Sequence, residues 1–316
     1  MSRNGTATLT IYTEDVDDLS PAFNTSIYRL NITEKVYNEA MNTTPPIAAY
    51  DMDKSINQPI EYEITSGNDA GIFNITPNGE IVIRGKLDRN IQPSLAFTIR
   101  ASQTDRPLDR YADATVLVTI QDANDHRPVM SNDSYSVEVE ENIHSGTIVL
   151  VVSATDMDSG TNSLFQFKLN GTDIFKVSTL DTTGSIKLDR SNILDREDKS
   201  QHKFYVYAEE FLTDDQKQSN RSEVIVTVLD INDNRPIFYP SGTHYFKVNK
   251  TARIGDLVGQ VYANDSDEGL NAKVTYSLFQ THDLFMIDES QGNITVKASL
   301  TEYTGIFHIQ VLAEDN

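Results

Sequence analysis

Hydrophobic and polar residues alternate in short runs along nearly the whole chain. A period of two puts successive side chains on opposite faces of a strand, so each run predicts a strand with one buried face. Such runs cover residues 6–12, 27–32, 97–100 and 115–120. They return at 135–139, 204–207 and 224–229, then at 245–248, 274–278 and 307–311. Turn residues separate them. Asn78-Gly79 lies between 73–75 and 81–83, a sequence that favours a tight hairpin. Residues 182–184 separate 175–177 from 185–188, and 290–292 precede 293–296. No stretch carries a long helical period; 191–197 has room for one helical turn. Roughly seven short strands per domain, punctuated by turns, predict a two-sheet antiparallel sandwich.

One polar segment recurs. Asp230-Ile231-Asn232-Asp233-Asn234-Arg235-Pro236 follows an alternating run, as do 122–128 and 15–21, and Pro21, Pro128 and Pro236 stand 107 and 108 residues apart. Proline lacks an N–H and biases the residue before it toward extended conformations, so each segment reads as a stiff connector between strands. A period of this length equals one small domain rather than a solenoid unit. The chain therefore divides into the last strand and linker of a preceding domain (1–21), two whole domains (22–128 and 129–236), and a third (237–316) expected to stop short of its final strand.

Composition narrows the chemistry. A formal charge of −21 over 316 residues argues against a nucleic-acid partner, whose binding needs Lys and Arg, and against anionic membranes. There is no cysteine, hence no disulfide and no thiolate site. Asn-X-Ser/Thr triplets begin at Asn4, Asn24, Asn31, Asn42, Asn74, Asn132, Asn170, Asn220, Asn249, Asn264 and Asn293, a density that favours a glycosylated product of the secretory route. No signal peptide and no membrane-length apolar run is visible, so an extracellular location implies an excerpt of a longer protein.

The linkers carry carboxylates and amides densely, a donor set suited to Ca²⁺, which takes six to eight oxygen ligands. Other acidic motifs keep step with them. Asp51-Met52-Asp53, Asp156-Met157-Asp158 and Asp265-Ser266-Asp267 each follow a strand, with Asn57, Asn162 and Asn271 four residues beyond. Glu34 and Glu141 stand early in their domains, where the third has Lys250, and Asp88-Arg89-Asn90 and Asp195-Arg196-Glu197 come later. One Asp-rich loop alone is an ordinary turn; three, each tied to a remote Asp-X-Asp, are a pattern. The six histidines show no zinc spacing. Asp195 and Glu197 could be mistaken for a glycosidase pair, but beside such a cluster they read as cation ligands.

This arrangement resembles the cadherin repeat across essentially the whole chain. The resemblance implies an all-β fold of tandem immunoglobulin-like, Greek-key, seven-strand β-sandwiches in an elongated rod, with three Ca²⁺ between successive repeats. It implies that Glu141, Asp195, Glu197, Asp230, Asn232, Asp233, Asp265, Asp267 and Asp315 hold calcium at the linker 230–236, with main-chain carbonyls of Ile231, Asn234 and Asn271. At 122–128 the corresponding set is Glu34, Asp88, Asp122, Asn124, Asp125, His126, Asp156, Asp158, Asn162 and Glu210. There Asn90 replaces a glutamate and Glu210 a late aspartate, so weaker binding is expected, whereas His126 is expected to offer only its carbonyl. At 15–21 the set is Asp15, Asp17, Asp18, Asp51 and Asp53, with Gln103 in the late position. Calcium would turn a joint of mutually repelling carboxylates into a stiff one.

The implied role is calcium-dependent cell–cell adhesion at the plasma membrane, on its extracellular side, through other cadherin molecules in homophilic or heterophilic contact. The chain has no tryptophan and so lacks the residue by which strand-swapping members dock; it reads as ectodomain shaft, not as an enzyme. An alternative is a receptor or mechanical-linkage segment that binds another protein in trans. Membrane anchorage would come only through parts outside this sequence.

Overall fold

The computed structural model describes residues 1–54, 58–105, 110–190, 192–240 and 242–315. It is almost wholly β. The first sandwich contains β1 (Ala22–Phe23), β2 (Ile27–Thr33), β3 (Lys35–Met41), β4 (Ala49–Tyr50), β5 (Ile60–Ser66), β6 (Phe73–Ile75), β7 (Ile81–Leu87), β8 (Ser94–Gln103) and β9 (Tyr111–Gln121). The second contains β10 (Val129–Met130), β11 (Ser134–Glu140), β12 (Ile148–Thr155), β13 (Phe165–Asn170), β14 (Phe175–Leu180), β15 (Thr183–Leu188), β16 (Gln201–Glu210) and β17 (Ser222–Leu229). The third contains β18 (Ile237–Tyr239), β19 (Leu257–Gln260), β20 (Tyr262–Asn264), β21 (Thr275–Leu278), β22 (Phe285–Ile287), β23 (Asn293–Val296) and β24 (Val311–Glu314).

The backbone groups into two compact units. One holds residues 1–128, 156–164 and 210–217; the other holds 129–155, 165–209 and 218–316. In the first unit, strands order as β2-β9-β8-β5 on one side and β3-β7-β6 on the other, with β1 paired to β4. In the second, β11-β17-β16-β13 faces β10-β12-β15-β14. In the first two sandwiches the first strand is split: β1 and β10 pair with β4 and β12, whereas β2 and β11 cross to the opposite sheet beside β9 and β17.

Alternation sets the core. β2 buries Tyr28, Leu30 and Ile32, and β17 buries Val224, Val226 and Val228, every second residue as the period of two requires. In the second sandwich the rings of Phe175 and Phe204 stack at 5.1 Å between the sheets. The third core gathers Tyr276, Phe285, Ile294 and Val296.

Several expectations are corrected. The sandwich is not wholly antiparallel: β2–β9 and β11–β17 pair in parallel. Such a pairing arises because the segment that enters a sandwich and the strand that leaves it run the same way. Residues 6–12 form no strand, having no ladder partner among the described residues. Residues 245–248 also lack strand geometry, though 135–139 lie in β11 as expected; the parallel partner that β9 and β17 provide has no counterpart in the third sandwich among the described residues. The final run begins its ladder at Val311 rather than at 307. Residues 192–197 form no helix, and Ser191 lies outside the described residues; a 3₁₀ turn occurs instead at Gly160–Ser163. The turn placed at 182–184 sits one residue earlier, around Asp181, whose φ is 49°.

Sterics at the Asn78-Gly79 hairpin are unforgiving. Gly79 has φ of 82°, and a Cβ there would lie 2.6 Å from the main-chain oxygen of Ile47. Gly79→Ala is expected to destabilise the first sandwich by about 2 kcal/mol or more, combining left-handed strain with a backbone collision. Urea denaturation followed against the wild type checks this.

Candidate metal centre

The sheet ends deliver the acidic residues. Glu34 and Glu141 follow β2 and β11, the linkers follow β9 and β17, and the Asp-X-Asp segments follow β4, β12 and β20. Glu141 is 3% exposed. Its Oε1 accepts the N–H of Ile231 at 3.0 Å and its Oε2 that of Arg196 at 2.8 Å. Glu34, also 3% exposed, repeats this with Ala123 at 2.9 Å and Arg89 at 2.7 Å. A buried carboxylate needs such partners, since an unpaired charge is costly to desolvate. Each glutamate thereby fastens the linker main chain to the turn after β7 or β15.

The first linker aspartate extends the frame. Asp230 Oδ2 accepts the N–H of Glu268 at 3.1 Å and the Nδ2 of Asn271 at 2.8 Å. Asp122 Oδ2 accepts Ser159 N–H and Asn162 Nδ2, each at 3.0 Å. Asp15 Oδ2 accepts Lys54 N–H at 2.6 Å; Asn57 lies outside the described residues. Within every Asp-X-Asp segment, the first aspartate accepts the N–H of the second: Asp51 from Asp53, Asp156 from Asp158, Asp265 from Asp267.

At the linker 230–236, carboxylate oxygens of Glu141, Glu197 and Asp230 lie within 4.8 Å of one another, as do those of Glu197, Asp233 and Asp267. Asp195 instead caps the N–H of Asp198 at 3.1 Å, and Asp315 accepts Asn232 Nδ2 at 3.2 Å. At 122–128 the close group is Asp125, the His126 ring and Asp158. Asn124 Nδ2 donates to Glu210 at 2.6 Å, while Asp88 turns to Lys86 Nζ at 2.7 Å. At 15–21, Leu19 N–H reaches Asp53 at 3.1 Å and Asp17 meets Gln103 and Arg110, while Asp18 is exposed; no comparably close acidic trio forms there among the described residues.

Burial raises the pKa of Asp156 and Asp158, and burial with the nearby Glu141 charge raises that of Glu197. Burial also opposes ionisation of Asp230, but hydrogen bonds from Glu268, Asn271 and Arg196 outweigh it and hold its pKa down. Buried oxygens of Asp156, Glu210, Asp265 and Asp267 have no hydrogen-bond donor. Orphaned, desolvated carboxylate oxygens held beside other carboxylates are the donor set a hard divalent cation fits.

Several participants escape a reading of the sequence alone. Arg196 spans Asp230, Glu197 and the Ser266 carbonyl, and Arg89 contacts Asp122 and Ser159. Asn162 and Asn271 act here through their side-chain amides. The His126 side chain is not idle: its Nδ1 lies 2.8 Å from both Asp125 and Asp158, as Asn234 Nδ2 lies 3.0 and 2.7 Å from Asp233 and Asp267. The side chain at the fifth linker position thus contacts the two corresponding acids in both clusters. The arginine inside the Asp-Arg-Glu triplet was the available signal, since a cation amid ligating acids invites a structural role.

The chain is similar to known proteins over nearly its whole length. The Cadherin domain family model matches residues 32–121, 135–229 and 244–316. Mouse Protocadherin Fat 4 is 33% identical over 332 aligned residues, covering 99% of this chain and 6% of that protein. Cadherin-89D of Drosophila melanogaster is 33% identical, covering 93% of this chain and 14% of its own length. The chain thus spans a small part of these relatives. Among solved structures, mouse Cadherin-23 EC22-24 superposes with a TM-score of 0.77 at 30% identity, covering 94% of each chain. With three segments matched by the family model and a sandwich fold that superposes on a cadherin ectodomain fragment, the chain belongs to the cadherin family.

Proposed function

We propose that this chain is part of the extracellular region of a plasma-membrane adhesion protein, in which bound Ca²⁺ stiffens successive repeats. The repeats are taken as 22–128, 129–236 and 237–316, with 1–21 ending a preceding one. The observation that carries this reading is the set of buried carboxylate oxygens without donors on Asp156, Glu210, Asp265 and Asp267. Leaving such groups unpartnered costs free energy that a cation would recover.

Glu141, Glu197, Asp230, Asp233 and Asp267 would hold calcium at 230–236, joined by Asp195, Asp265, Asp315, Asn232 and carbonyls of Ile231, Asn234 and Asn271. Asp122, Asn124, Asp125, His126, Asp156, Asp158, Asn162 and Glu210 would serve at 122–128, with Glu34 and Asp88. Asp15, Asp17, Asp18, Asp51 and Asp53 would form the poorest site. Calcium supplies positive charge where like charges are packed, and this chain's residues fix where that charge can sit. The partner is read as another cadherin molecule, and the role as adhesive rather than enzymatic.

Calorimetric titration is expected to resolve a tighter set of ions at 230–236 and a weaker one at 122–128. Asp267→Asn should remove much of the tighter set. At a hundredfold excess of calcium over Kd, each site adds about 2.7 kcal/mol to stability, so chelation should lower the melting midpoint. A melt and a titration both indifferent to calcium would overturn the reading.

Glu141→Ala is expected to destabilise the protein even in chelator, by about 2–4 kcal/mol, because two main-chain donors lose a charged acceptor. Urea denaturation in EDTA tests this, since a residue acting only through calcium would show no difference there.

A further inference from the structure

Arg110 and Lys217 occupy matching places. Each lies seven residues after the late position, Gln103 or Glu210. Each also lies opposite that position, just ahead of β9 or β17. The Gln103 N–H donates to the Arg110 carbonyl at 3.2 Å, and the Glu210 N–H to the Lys217 carbonyl at 3.0 Å. From there both side chains reach the third linker residue through its main-chain carbonyl: Arg110 Nη2 to Asp17 O, and Lys217 Nζ to Asn124 O.

The same linker residue also meets the late side chain. Gln103 Nε2 lies 3.4 Å from Asp17 Oδ1, and Asn124 Nδ2 lies 2.6 Å from Glu210 Oε2. Arg110 adds an ion pair with Asp17, and its side chain is 12% exposed. The carboxylate changes sides between the two corners, from linker residue to late residue, yet a base remains in the same place. In each corner, therefore, one of the two residues, linker or late, is a carboxylate, and a resident cation stands beside the pair.

We propose that Arg110 and Lys217 are built-in counter-cations. They fasten the linkers 15–21 and 122–128 through a main-chain carbonyl without any divalent ion, and they compete with calcium for that corner. A carbonyl oxygen is also the kind of donor calcium takes, and a fixed ammonium beside it repels a divalent cation. The fastening needs only the contacts above; the competition rests on the calcium reading.

The experiment is hydrogen exchange by mass spectrometry on the whole chain, following the peptide 121–128 across a calcium titration that starts in EDTA. Lys217→Met keeps the aliphatic stem and removes the charge, and Lys217→Arg restores a cation. In EDTA, Lys217→Met should speed exchange of this peptide several-fold, with Lys217→Arg close to wild type. With calcium, its protection midpoint should move to about tenfold lower concentration, the effect of removing one nearby unit charge. Unchanged exchange in EDTA would overturn the fastening; an unchanged or higher midpoint would overturn the competition. If the wild type shows no calcium-dependent protection at any linker, the calcium reading fails, and the EDTA comparison still decides the fastening.

Discussion

The hydrogen bonding of one buried glutamate in each of the first two repeats, Glu34 and Glu141, is the constraint on which the rest depends. Glu34 and Glu141 bridge a linker N–H and the N–H of an arginine across the same sequence separation of 55 residues. A carboxylate at this depth is tolerated only with strong donors, and two charge-assisted bonds provide them. The consequence is that the linker is not a loose tether. Its main chain is fastened before any side chain of the cluster is considered. Asp122 and Asp230 then take up the N–H beyond the next Asp-X-Asp, so two acids fix segments that lie far apart in sequence.

This main-chain frame explains how so many acids can be gathered. Part of their charge is met by protein groups rather than by solvent. Arg196 and Arg89 lie between the linker and the following loop, and the fifth linker residue, asparagine or histidine, meets two aspartates. What remains is a few carboxylate oxygens that no protein donor reaches. Those oxygens mark where a cation would find ligands, and among the described residues they occur at 122–128 and 230–236 but not at 15–21.

The sandwich was legible because alternation and turn chemistry are local. The runs at 115–120 and 224–229 lie within β9 and β17, and Asn78-Gly79 joins β6 to β7. The parallel pairings were not legible, since strand direction follows from how a segment enters and leaves a domain. The failures at 6–12 and 245–248 share a cause: alternation states a preference for strand, but only a neighbour supplies the ladder. Within the site, acids could be read from spacing alone. The donors could not, because an arginine, lysine or asparagine has many roles and only the folded geometry shows which carboxylate or carbonyl it meets.

The three linkers are best understood as one frame carrying different charge. The frame is made of main-chain N–H groups: its glutamate part survives when Asn90 stands where the next repeat has Glu197, and its aspartate part, Asp15 accepting the Lys54 N–H, when Gln103 stands where Glu210 and Asp315 stand. The ionic content is made of side chains and changes with each of those substitutions. Separating the two lets a repeat protein set the cation demand of every linker individually while each sandwich keeps its fold. By that logic the strength of a linker is fixed by the balance of acids and bases around it, and counting its aspartates alone overstates what it can bind.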